Sequence, residues 1–145
     1  MNEIDAVQIL YPIFALFVLV QIVLLRMRSM RFAAVRANQV PLGYYKTFQG
    51  AEEPQPLRAV ARNFANLFEL PVLFCVGALM AYVTAEVNVW LVGLAWLYVA
   101  LRYAHTFVHL TSNPVMVRFS IYFASNVVLL AMWILLFIGI VRGQG

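Results

Sequence analysis

A few polar and ionisable residues recur at helical spacing in an otherwise apolar chain, and their types suit the recognition of a small polyanion. Arg58, Arg62, Asn66 and Glu69 fall within about 80° of arc when projected at about 100° per residue, so they share one helix face. Tyr98, Arg102, His105, Thr106 and His109 form a second stripe of the same kind, and Arg118 opens a third that continues through Tyr122 and Ser125. Arg26 and Arg28 end the first apolar run. Arginine keeps its charge in low dielectric and offers a planar fork to carboxylates, while an ionised Glu69 would accept from an ammonium group. A ligand with two carboxylates and one amine fits that inventory. The same residues also admit a structural reading: Arg62 or Arg102 paired with Glu69 between helices, Asn66, Thr106 and the histidines as hydrogen-bonding contacts, and Arg58 and Arg118 reaching to headgroups.

Other chemistries have less support. His105 and His109 stand one turn apart as a metal pair would, but only Glu69 is in reach as a third ligand, so no metal is expected. Cys75, among Leu73, Phe74, Val76 and Gly77, reads as a small core residue. Phosphate-loop, dinucleotide-binding, nucleophile-elbow and zinc-protease patterns are absent from the sequence.

The elements that must carry these residues follow from composition. Of 145 residues, 64% belong to the apolar set AVILMFWYC and 11% are charged, against about 25% charged in ordinary soluble domains. A globule of this length buries only about 70% of its unfolded surface, so the excess apolar area requires lipid as solvent. A soluble enzyme, a disordered tail and a disulfide-stapled secreted domain are thereby excluded; mean hydropathy is +0.85 and Cys75 is the one cysteine.

Four stretches reach the roughly 20 residues a membrane-spanning helix needs, at about 6–27, 58–84, 88–110 and 114–141. The expected architecture is a single all-α integral membrane domain, a four-transmembrane-helix bundle over 1–145. The net charge of +4 does not imply nucleic acid, because every basic residue except Arg142 lies in or beside the first and third connections or at the helix ends flanking them. By the positive-inside rule, the loop 28–57 and the turn 111–113 face the cytoplasm and both termini face away, with the first span retained rather than cleaved. The connection Ala85–Asn88 has no Lys or Arg, as an outer loop should.

The inner loop carries Pro41, Gly43, Gly50, Pro54 and Pro56 and is expected to be irregular. Asn113 is expected to cap the last helix with Pro114 at its first position, and Pro71 to kink span two. Gly139 and Gly143 form an isolated GxxxG of low specificity.

Arg62-x-x-x-Asn66-x-x-Glu69-x-Pro71 resembles the second-helix signature of the MAPEG family, the membrane-associated proteins in eicosanoid and glutathione metabolism. Arg102-Tyr103-Ala104-His105-Thr106 is similar to the third-helix stretch of its microsomal prostaglandin E synthase and glutathione transferase branch, and Arg118 to that branch's helix-four arginine. The resemblance covers essentially the whole chain. It implies a homotrimer that binds glutathione between subunits near the cytoplasmic face. Arg62, Asn66 and Glu69 would hold the tripeptide, Arg26, Arg102, His105 and His109 would line the same cleft, and Arg118 would lie at the sulfur as the catalytic group.

A cation there favours the thiolate, the nucleophile, which would attack lipophilic substrates or lipids dissolved in the bilayer. The implied activity is a glutathione-dependent transferase or peroxidase in a bacterial inner membrane or an endoplasmic reticulum. Two positions depart from the pattern: His109 replaces a tyrosine and Phe119 a serine, which argues against prostaglandin synthesis. The alternative is a non-catalytic lipid-binding or scaffold member. A small transporter is a further rival, but the sequence holds no pore motif.

Overall fold

The computed structural model describes residues 5–143. A single 3-10 turn, Ala6–Leu10, runs into α1 (Tyr11–Arg36); α2 (Tyr44–Thr47) interrupts the first long connection; α3 (Gln55–Asn66) and α4 (Leu70–Val83) make up span two; α5 (Val89–Leu110) and α6 (Val115–Gly143) complete the bundle. Four segments are long and apolar enough to cross a membrane: Ala6–Arg36, Gln55–Val83, Val89–Leu110 and Val115–Gly143. Phe14, Phe17, Leu130, Ile134 and Phe137 point outward and exposed, while Leu16, Leu19, Phe74, Ala95 and Met132 meet inside. That inversion of a soluble protein's surface makes lipid the surrounding solvent. The fold is an all-α integral membrane four-helix bundle.

The expected boundaries are corrected in three places. The first helix does not stop near residue 27. No glycine or proline interrupts the arginine-rich stretch, so α1 continues to Arg36 and ends where Asn38 turns left-handed at φ 54°. The connection that remains is pinned rather than loose. Arg31 Nε donates to Glu53 Oε1 at 3.1 Å, and its guanidinium lies 5.3 Å over the Tyr45 ring and 5.7 Å over Phe48. Burial, and then the Glu53 carboxylate, push the Tyr45 hydroxyl above its usual range.

Span two is broken, not kinked. Its helix ends at Asn66 and restarts at Leu70, with Glu69 at φ −92° and ψ −105° before the new first turn. Pro71 sits inside that first turn, where its missing N–H costs nothing, so the proline's effect falls upstream as a full interruption at Leu67–Glu69. In α3 the inward face is Leu57, Val60 and Asn63, continued by Leu67, which leaves Arg58 and Arg62 exposed.

The α5–α6 hairpin is tight, but Asn113 is not an N-cap. Arg118 N–H donates to the Pro114 carbonyl at 3.0 Å, so the helix begins at Val115, and Asn113 takes φ 49° with its side chain turned elsewhere. Asn88 does cap α5, its Oδ1 accepting from the N–H groups of Trp90 and Leu91, each at 3.1 Å. Gly139 and Gly143 of α6 face the Glu86 side chain: a Cβ on Gly139 would fall 2.5 Å from Glu86 Oε2.

A cleft where span two breaks

The interruption of span two brings Asn66 and Glu69 opposite the last turns of α5 and the first turns of α6. Asn66, Glu69, His105, Val115, Arg118, Phe119 and Tyr122 line a cleft of about 270 Å³. Each side chain reaches it for a local reason. His105 is on the inward stripe of α5 that also buries Arg102, Thr106 and His109, which are exposed by 0% (Arg102), 5% (Thr106) and 3% (His109). Arg118 and Tyr122 are one turn apart on the face of α6 that packs against α5. Glu69 is presented by the unwound backbone ahead of α4.

Arg102 forms the floor of this arrangement. Its Nη2 donates to the Asn66 carbonyl at 2.9 Å and its guanidinium lies 5.5 Å over the Tyr122 ring. Nε and Nη1 are buried with no partner among the described residues, so this cation has donors to spare. Arg118 Nη1 donates to Asn113 Oδ1 at 2.7 Å and stands 3.5 Å from His109 Nε2, which fixes the guanidinium at the cleft wall. The His105 ring sits 5.8 Å from Tyr122 and 5.7 Å from His109. The chemistry on offer is one cation, Arg118, one carboxylate and the side chains of Asn66, His105 and Tyr122 around a space for a small zwitterion, with Arg102 buried beneath.

Not every expected residue joins the cleft. Asn66, Glu69, His105 and Arg118 line it, Arg102 supports it from below, and His109 touches Arg118 behind it. Arg26 and Arg62 are exposed and stand outside the lining of a single chain, so the helices do not all turn their cations to one point. The ion pairs among the described residues are Arg31–Glu53 and Arg58–Glu52, at 3.1 and 2.7 Å, and neither Arg62 nor Arg102 pairs with Glu69.

Two positioning residues escape a reading by stripes. Asn63 is fully buried, and its amide meets the Thr106 hydroxyl at 3.4 Å, joining α3 to α5 just below the cleft. The spacing Leu57, Val60, Leu67 marks that face as inward and is the signal that would have found it. Asn113 holds Arg118, and only its place in a short turn hinted at a special role.

No curated protein and no solved structure matches the chain significantly. The MAPEG family model matches residues 9–138, from the first helix to the last. The match runs through the cleft residues and all four spans, and on it the chain belongs to the MAPEG family.

Proposed function

We propose that the cleft binds glutathione and that the protein is a glutathione-dependent transferase or peroxidase for lipophilic molecules dissolved in the membrane. The observation that carries this reading is Arg118, held by Asn113 and backed by His109 at a cleft whose other polar walls are Glu69, His105 and Asn66. Glu69 suits the ligand's α-amino group, and the ligand's carboxylates call for arginines beyond the lining of the single chain. Arg26 and Arg62, exposed in one chain, would be supplied across a subunit boundary in a homotrimer. The cleft then faces the cytoplasm, and both termini face away from it.

A cysteine-type thiol has a pKa of about 8.5, and a fixed guanidinium beside the sulfur lowers it. The thiol proton passes to water and the thiolate remains paired with Arg118. With an aryl halide, a C–S bond forms and halide leaves. With a hydroperoxide, the thiolate attacks the O–O bond to give an alcohol and a sulfenic acid; a second glutathione reduces the sulfenic acid to the disulfide and water. Arg118 acts by holding negative charge at sulfur, and no general base in the chain is required.

The test is turnover of a chlorodinitrobenzene-type electrophile and of a lipid hydroperoxide by purified protein, together with thiolate absorbance on adding glutathione. A folded protein without either turnover and without the absorbance refutes the proposal. A second reading, a lipid-binding member without catalysis, rests on His109 at the tyrosine position, buried and engaged with Arg118. It predicts no thiolate signal, whereas the enzyme shows one and loses it in Arg118→Ala.

A further inference from the structure

The end of α1 carries a cationic face that the cleft does not use. At about 1.5 Å per residue, the 26 residues of α1 span about 39 Å, more than the roughly 30 Å of a bilayer's hydrocarbon core. The excess is at the arginine-rich end, since Tyr11–Leu25 is apolar but for Gln21. There Arg28, Ser29, Phe32, Ala33, Arg36 and Ala37 line one open side of the helix.

Phe32 is 55% exposed, and the Arg28 guanidinium lies 5.6 Å over its ring. Arg36, exposed, follows one turn later on the same side. Nearby acids do not neutralise this face: Glu53 is taken by Arg31 and Glu52 by Arg58, and among the described residues neither Arg28 nor Arg36 has a carboxylate partner. The small Ala33 and Ala37 leave both guanidinium groups room to approach a bulky anion.

We propose that this face binds the headgroup of an anionic phospholipid at the membrane surface where α1 ends. Arg28 and Arg36 take the phosphate, and Phe32, stacked against the Arg28 guanidinium, lies between them at the headgroup level. Aromatic rings are favoured at the headgroup level, and basic residues there meet the anionic surface, so a ring set between two cations suits that interface. A zwitterionic headgroup brings its own cation to the same place and is disfavoured. The inference is independent of glutathione, because the face lies outside the cleft.

The experiment offers the purified full-length protein equal amounts of phosphatidylglycerol and phosphatidylcholine in mixed micelles and reads the retained lipid by native mass spectrometry. Wild type should retain phosphatidylglycerol in preference. Each arginine near an anionic surface contributes about fivefold, so Arg28→Ala/Arg36→Ala should lower the preference by about tenfold or more. Arg142→Ala, in the last turn of α6, should leave it unchanged, and Arg28→Lys/Arg36→Lys should restore most of it. Equal retention of both lipids by wild type, an undiminished preference in the double alanine variant, or no recovery with the lysine pair overturns the proposal.

Discussion

Asn113 tests whether the placement of Arg118, and not merely its presence, matters for turnover. The bond from Arg118 Nη1 to Asn113 Oδ1 is 2.7 Å, short for a charge-assisted contact, and its partners are partly buried. Hydrogen bonds to charged groups contribute about 1.5–3 kcal/mol, and partial solvation puts this one near the lower figure. Releasing the guanidinium also returns up to about 2 kcal/mol of rotamer entropy to the side chain, a cost the substrate complex must then meet. A loss of about 1.5 kcal/mol is roughly tenfold in kcat/KM.

Asn113→Gly is the informative substitution. It removes the tether while accepting the φ of 49° without strain. Asn113→Ala should lose the same activity and in addition about 1 kcal/mol of stability from the left-handed backbone. That corresponds to about 4 °C in Tm for a chain of this size. Asn113→Asp keeps the tether but sets an anion against Arg118, so glutathione should still bind while its thiolate absorbance falls. The assay is conjugation kinetics with Tm and thiolate absorbance measured on the same preparations. Wild-type kcat/KM in Asn113→Gly would refute the reasoning.

Three further outcomes are expected. In a double-mutant cycle of Asn63→Ala and Thr106→Val followed by thermal unfolding in detergent, the coupling should be only about 0.6 kcal/mol, because the contact is long at 3.4 Å and membrane hydrogen bonds are weak on average. Gly77→Leu should lower Tm through a loss of about 1–3 kcal/mol, since even a Cβ there would stand 3.2 Å from the Trp133 ring. Tyr45 has its hydroxyl held above the ordinary 10.0 by burial and then by Glu53, so its stabilising contribution is complete below that pH and lost as pH rises beyond it. Alkaline melting curves should show a steeper loss in wild type than in Tyr45→Phe.

The spans were legible because lipid selects for length and apolarity, both plain in the sequence. The α5 stripe was legible for a related reason: Arg102, His105, Thr106 and His109 are all buried, and only the protein's interior can satisfy such groups within a membrane. The second span was harder. Arg62, Asn66 and Glu69 share a projected face, but the backbone unwinds after Asn66, so a projection through Glu69 assumes a helix that is not there. Arg62 turns outward for a separate reason: the inward face of α3 runs through Leu57, Val60 and Asn63, one residue out of register with it. The length of α1 was hidden because hydropathy reports where the lipid ends, and a helix has no need to end there. The role of Asn113 depends on a left-handed turn conformation and a contact to Arg118 that no local pattern specifies.

A helix that stops partway along a membrane span exposes carbonyl dipoles with no water at hand, and the end of α3 meets this need by borrowing a cation from another helix. Arg102 terminates α3 from outside, its guanidinium on the Asn66 carbonyl at the negative pole of that helix. One side chain thus seals a backbone end and underlies the polar cleft. The two duties cannot be separated by mutation at that position, since whatever takes the charge away also unseats the peptide group on which the cleft floor rests.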